Sequence, residues 1–319
     1  MDNRDIARAV AILKGGGLVA FPTETVYGLG ADAGNPAAIK RLYAVKGRPV
    51  AHPVIVHLAD AAQLPQWARE IPEAARKLAE EFWPGPLTLV LQRVSSVEDV
   101  VTGGQNTIGL RIPAHPVARA LLMAFGGGIA APSANRFGHV SATTAEHVRG
   151  ELGNDIDFVL DGGPCEVGIE STIVDVSSGR PVLLRPGRIS EWDIEQVVGA
   201  PLALRGATVP RVPGMLAVHY APRTPLKLVP ASALHDRVRA LLQRGQQVAV
   251  LAHSVTPLTP NQQLLTWISS PEDAAGYAHE LYANLRRLDQ AQCNVILVEQ
   301  PPATAAWAAV VDRLARAAG

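Results

Sequence analysis

Four cations carry the chemistry that this sequence could perform. Lys46 and Arg48 flank Gly47, Arg111 interrupts the apolar run Ile108-Gly109-Leu110-Arg111-Ile112, and Arg185 follows Val182-Leu183-Leu184. A charge inside an apolar strand pattern is costly unless it is paired or faces a cleft, so Arg111 marks a site. Hydroxyls and amides accompany the cations in five clusters. These are 22–30 with Thr23, Glu24 and Thr25; 46–49 followed by His52 and His57; 107–113; 131–135 with Ser133 and Asn135, then Ser141; and 168–175 with Ser171, leading to Arg185. Guanidinium, ammonium and hydroxyl donors gathered together suit phosphate and carboxylate oxygens. Taken singly, Ser133 or Thr107 reads better as turn or cap chemistry, the common use of such residues beside Pro and Gly. Taken together, Lys46, Arg48, Arg111 and Arg185 would line a cationic pocket.

The remainder of the composition narrows the function. The 319 residues include 29 Lys+Arg against 29 Asp+Glu, so no overall positive field exists to attract nucleic acid, and any anion site must be local. Cys165 and Cys293 stand far apart, which excludes a disulfide framework and a thiolate zinc site. His115, His139, His147, His235, His253 and His279 show no metal-ligand spacing and read as surface or internally satisfied side chains. No apolar run reaches the roughly 20 residues of a membrane span, so a cytoplasmic protein is expected. Gly15-Gly16-Gly17 and Gly126-Gly127-Gly128 begin matches to G-x-G-x-x-G/A. In both, a helical pattern precedes the glycines and a strand follows, the reverse of a dinucleotide site, so they read as helix caps.

The elements that must position the five clusters follow from periodicity and punctuation. Helices are expected at 5–14, 37–45, 72–82, 116–125 and 144–152, and strands at 18–21, 54–58, 87–92, 108–112, 129–131, 158–161, 171–176 and 182–185. The clusters fall at strand ends, where α/β folds place their sites. Residues 1–200 read as one α/β domain. Pro201, Pro210, Pro213, Pro222 and Pro225 leave little room for regular structure, so 201–225 is a linker. Residues 226–319 alternate strand and helix, with strands at 226–229, 247–252 and 294–298, and predict a small α/β domain with a parallel sheet.

In this order, the clusters resemble the YrdC-like family of threonylcarbamoyl-AMP synthases, in its longer Sua5 branch. The resemblance spans nearly the whole chain. It is carried by the K-x-R pair Lys46 and Arg48, the S-x-N pair Ser133 and Asn135, and P-T-E-T-V-Y-G-L-G at 22–30. Trp83-Pro84-Gly85-Pro86-Leu87-Thr88 and the linker tetrad His219-Tyr220-Ala221-Pro222 add to it. It implies a YrdC-like twisted open mixed sheet with helices, a linker able to act as a lid, and a small Rossmann-like C-terminal domain. The implied enzyme is a nucleotidyltransferase that condenses L-threonine, bicarbonate and ATP to threonylcarbamoyl-AMP and pyrophosphate, with Mg²⁺ expected on the triphosphate. Lys46, Arg48, Ser133 and Asn135 would be catalytic. Arg48, His52, Thr107, Ser133, Ser141, Arg185 and Tyr220 would contact ATP, and Thr25, His57, Arg111, Ala131 and Ser171 would hold threonine. A downstream transferase would move the product onto tRNA, which this chain itself would not bind stably.

Two positions depart from the family pattern. His52 replaces the usual Asn, and Leu216-Ala217-Val218 replace a more basic and aromatic stretch before the H-Y-A-P tetrad. The linker is therefore expected to pack more by apolar contact than by charge. Two other readings compete: a carbamoyl-adenylate-forming hydrogenase maturation protein, which would need further cysteine-bearing regions, and an RNA-binding module, which would need an excess of Lys and Arg.

Overall fold

In the computed structural model, which describes residues 3–206, 209–216, 218–258 and 263–319, local chemistry sets the element ends. The Asn35 side chain caps the helix Pro36–Lys46 by accepting from the Ala37 and Ala38 amides, and Gly47 ends it at φ 65°. That left-handed conformation suits glycine. The Gly47 and Arg48 amides fold back onto the Ala44 and Tyr43 oxygens, so Lys46 and Arg48 leave the same tight helix end. The glycine triplets also behave as helix ends. Gly15, Gly16 and Gly17 return their amides to Ala11, Leu13 and Ile12 of the helix Asn3–Lys14, and Gly126 caps Pro116–Phe125.

The first of two compact units comprises Met1–Phe137 and Ala142–Met215. Its strands are β1 (Val19–Phe21), β2 (Gly28–Asp32), β3 (Ile55–His57), β4 (Leu87–Gln92), β5 (Thr107–Arg111), β6 (Ile129–Ala130), β7 (Phe158–Val159), β8 (Thr172–Asp175) and β9 (Val182–Arg185). They form the expected mixed sheet, in the order β7-β1-β2-β6-β3-β5-β4-β8-β9. The apolar pattern misses β2, because Gly28-Leu29-Gly30-Ala31 carries too few large side chains to read as a strand. Gly30 is required there: a Cβ would stand 2.8 Å from the Phe21 ring and 2.9 Å from Ile129.

Side chains alternate between the two faces of the sheet. On one face, Val54, Val56, Leu58, Leu87, Leu89, Leu91, Ile108, Leu110 and Val174 pack against Ile39, Leu42, Leu78 and Val148 of the helices. On the other, the β1 and β6 side lies under the helices Asn3–Lys14 and Pro116–Phe125, through Val19, Phe21, Ile129, Leu13 and Leu121. The β3-β5-β4-β8 side of that same face is covered differently. There Ile55, Val90, Ile173 and Leu184 meet Val209, Val212 and Met215 of the irregular strap 209–215. The register places His57 opposite Arg111 and Ile55 opposite Gly109 in parallel β3 and β5, and Val90 opposite Gly109 in antiparallel β4. His57, Arg111 and Thr88 consequently belong to the strap-covered face.

The second unit comprises Gly138–Ser141 and Leu216–Gly319. Its strands β10 (Leu226–Val229), β11 (Val248–Ala252), β12 (Leu265–Ser269) and β13 (Val295–Glu299) are all parallel, in the order β10-β13-β11-β12. The sequence pattern misses β12, a half-buried edge strand with only Leu, Trp and Ile among its five residues. Residues 201–225 are shared between the units, with Met215 in the first and Leu216 in the second. Ala217 lies outside the described residues.

Candidate active site

Arg111, at the end of β5, is 4% exposed, and its guanidinium is held on three sides. Nε donates to the Gly85 oxygen at 3.2 Å, Nη1 to Thr25 Oγ1 at 2.8 Å, and Nη2 lies 2.7 Å from Glu24 Oε1. Thr23 donates its single hydroxyl proton to the Val26 oxygen at 2.6 Å, so Thr25 donates in the 2.8 Å contact between the two hydroxyls. Thr25 Oγ1 is thereby set as an acceptor facing Arg111. His57 stands opposite Arg111 in the next strand. Burial, then the Arg111 charge, pushes the imidazole pKa down to about 3, so the ring is neutral near pH 7. Ala131 joins this group through its amide, which donates to the Ile55 oxygen at 2.9 Å. Thr25, His57, Arg111 and Ala131 are thus brought together.

Ser171 and Arg185 form a neighbouring group. Ser171 Oγ lies 2.8 Å from Thr88 Oγ1 and accepts from Arg185 Nη2 at 3.1 Å. Arg185 Nε donates to the Ser171 oxygen at 3.1 Å, and Nη1 donates to the Pro213 oxygen of the strap, also at 3.1 Å. Thr107, on β5, lines an open cleft with Gln92, Gln105, Asn106, Asp175, Ser177 and Val209.

Lys46 alters the picture of a phosphate-facing ammonium. The side chain is buried, and Nζ donates to the backbone oxygens of both Ser133 and Asn135. Desolvation, then the Arg48 charge, holds its pKa well below the usual lysine range. The K-x-R and S-x-N pairs are therefore joined physically: Lys46 fixes the turn that presents Ser133, which bridges to Gly28 of β2. Arg48 bonds to the His52 and Pro53 oxygens at 3.2 and 2.7 Å and lies over the Phe137 ring, 5.5 Å from its centroid. His52 is half-buried against the edge of Phe137, and desolvation with the Arg48 charge lowers its pKa.

Ser141 and Tyr220 belong to the second unit. The Ser141 oxygen accepts from Arg286 Nε at 3.3 Å. Tyr220, at φ 62°, packs its ring beside Tyr282 and under the Arg313 guanidinium. The His219 amide donates to the Arg316 oxygen at 3.0 Å. Just before the H-Y-A-P tetrad, Val218 is exposed and the Leu216 oxygen accepts from Arg316. The linker's apolar contacts come from Val209, Val212 and Met215 of the strap.

The sequence reading assigned no role to Glu24, Thr88 or Gln105. Glu24 had a signal: a buried strand arginine requires a counter-charge, and Glu24 is the acid in the 22–30 cluster. Gln105 had none. Its amide accepts from the Arg211 amide at 2.7 Å and donates to the Arg211 oxygen at 3.0 Å, a backbone-like pairing that tethers the strap. Burial pushes the Cys165 thiol up to about 12, which makes it a poor nucleophile. Among the described residues, no group of three or more His, Cys, Asp or Glu stands together to hold a metal ion, and no helix is long and apolar enough to cross a membrane.

The mixed α/β sheet thus gathers two buried arginines, Arg111 and Arg185, on its strap-covered face. A family model described as "Telomere recombination" (Sua5, YciO and YrdC) matches residues 11–187, and one described as "Threonylcarbamoyl-AMP synthase, C-terminal domain" matches 189–319. The chain is 40% identical to threonylcarbamoyl-AMP synthase of Bacillus subtilis, covering 98% of this chain and 93% of that protein. It is 38% identical to the Pyrococcus abyssi protein of the same name, over 98% and 93% of the two chains. The crystal structure of Pyrococcus abyssi Sua5 complexed with L-threonine superposes with a TM-score of 0.90 at 36% identity, covering 100% of this chain and 95% of that one. The chain belongs to the Sua5 threonylcarbamoyl-AMP synthase family.

Proposed function

We propose that this chain is an L-threonylcarbamoyladenylate synthase, a nucleotidyltransferase acting on L-threonine, bicarbonate and ATP. The observation that carries this reading is the placement of two oxygen-binding groups on one sheet face, Arg111 with Thr25 and His57, and Arg185 with Ser171. The planar fork of Arg111 suits the amino-acid carboxylate. A neutral His57 can exchange a hydrogen bond with the threonine hydroxyl without repelling Arg111. The threonine amine bonds to the bicarbonate carbon with loss of water, and an oxygen of the resulting carbamate bonds to the α-phosphorus as the bond to pyrophosphate breaks. Charge then builds on the phosphoryl oxygens, where Arg48, Arg185 and the Ser133 turn held by Lys46 would stabilise it. His52 and Thr107 would contact the nucleotide, with Asn135 in the same turn as Ser133. Ser141 and Tyr220 are assigned to the nucleotide by family resemblance alone.

The strap 209–215 is the part of the linker that covers the nucleotide face, and Arg185 must exchange the Pro213 oxygen for phosphate as ATP binds. Mg²⁺ would arrive on the triphosphate, with phosphate and water oxygens as its main ligands and a role in neutralising charge. The product, a reactive mixed anhydride, calls for a downstream transferase acting on tRNA adenosine. The test is pyrophosphate release with ATP, bicarbonate and each amino acid in turn. Turnover is expected only with threonine and bicarbonate together, and equal rates with serine or valine would defeat the assignment.

A further inference from the structure

Glu24 is 5% exposed and pinned from several sides: Oε2 accepts from the Ala114 amide at 3.1 Å, and its backbone oxygen accepts from the Val167 amide at 2.7 Å. Its other carboxylate oxygen, Oε1, lies 2.7 Å from Arg111 Nη2, yet neither atom makes a directed hydrogen bond to any protein group, and both are cut off from solvent. The contact is one of charge, made at the buried back edge of the guanidinium. The other edge differs. Nη1 meets the hydroxyl of Thr25, whose proton is already committed to Thr23. With Nε on the Gly85 oxygen and Nη2 buried against Glu24, the second N–H of Nη1 is the donor left for a substrate carboxylate, while Glu24 sets the position of the guanidinium from behind.

We propose that Glu24 is a positioning residue for the amino-acid substrate, holding Arg111 by charge so that its Nη1 edge meets the substrate carboxylate. This rests on the reading of Arg111 as the carboxylate site. A guanidinium held only by Thr25 and the Gly85 oxygen could rotate about its long side chain. Displacement by even a fraction of an ångström weakens a charge-assisted hydrogen bond from Nη1.

The experiment compares the affinity of the full-length protein for L-threonine and for L-threonine amide, which lacks the carboxylate charge, by calorimetry. In Glu24→Gln, threonine affinity is expected to fall about 10- to 100-fold while that for the amide changes less than about twofold, because only the carboxylate uses the fork. Glu24→Asp, which keeps the charge, should recover part of the preference. Arg111→Gln should abolish the preference altogether. If Arg111→Gln keeps the wild-type preference, the underlying carboxylate reading fails. If Arg111→Gln abolishes it and Glu24→Gln does not diminish it, the role of Glu24 alone is overturned. Should Glu24→Gln fail to fold, Glu24→Asp decides: its shorter side chain withdraws the charge from Nη2, and an unchanged preference overturns the proposal.

Discussion

Arg111 and Arg185 are both buried guanidiniums on the same face of one sheet, yet they are held by different means. Arg111 has a carboxylate at 2.7 Å, whereas the bonds from Arg185 described above run to the neutral oxygens of Ser171 and Pro213. An ion-paired cation adds little net field and recognises a ligand by shape. Bonds to neutral oxygens orient a cation without offsetting its charge. In the function proposed above, the first arrangement would meet the single carboxylate of a small zwitterion and the second a triphosphate. Lys46 is likewise held by two backbone carbonyls, but its buried ammonium is spent on the 133–135 turn, and burial draws its pKa well below the usual lysine range.

The sharpest way to break this contrast is to neutralise each arginine. Arg111→Gln strands the Glu24 charge and should lower stability by about 3–5 kcal/mol in urea unfolding, whereas Arg185→Gln should cost only about 1–2 kcal/mol. Equal losses would erase the distinction. In pyrophosphate release, Arg111→Gln should raise the KM for threonine about 100-fold, and Arg185→Gln should raise that for ATP instead. Lys46→Met keeps the side-chain volume but frees the 133–135 turn, so kcat should fall about 100-fold for a stability loss of about 1–3 kcal/mol. Wild-type turnover in that variant would mean that the turn needs no clamp.

A smaller effect concerns pH. His57 binds its proton only near pH 3 in the folded protein but near the ordinary imidazole value of 6.5 when unfolded, so the unfolded chain takes up the extra proton between these limits. Stability attributable to this group is therefore intact above pH 6.5 and is lost as pH falls towards 3. His57→Gln should flatten the decline of Tm between pH 6.5 and 4.5, and a decline as steep as in wild type would contradict a buried neutral imidazole. The smallest effect is expected at the strap. Gln105→Ala removes both hydrogen bonds to the strap and one to the Thr102 oxygen, worth about 1 kcal/mol net, and should shift the KM for ATP no more than about fivefold, leaving that for threonine unchanged.

The fold was legible wherever large apolar residues mark a period, as in β4, β5 and the helix Pro116–Phe125. It was not legible in β2, where close packing against Phe21 demands small residues and removes the pattern. At the site, Arg111 announced itself by violating a strand's apolar pattern, and the K-x-R and S-x-N pairs by their types. Their mutual connection was invisible, because Lys46 bonds to backbone oxygens that carry no sequence information. Gln105 was invisible for the same reason, since any residue at position 211 offers the amide and carbonyl that it pairs with. The split of the linker between two units followed from packing partners far away in the chain, which punctuation by proline does not encode.

The facing of His57 and Arg111 across β3 and β5 carries a rule about chain length. Each strand presents alternate residues to the strap-covered face, so adding or deleting one residue within 107–111 would turn Arg111 towards the side packed by Leu110 and Ile108 and leave Glu24 facing an aliphatic chain. Changes of length there are compatible with the site only in steps of two. Loops on either side can vary by any number. Among homologues, the spacing within these two short strands should be the most rigid ruler in the molecule, stricter than the identity of most residues between its marks.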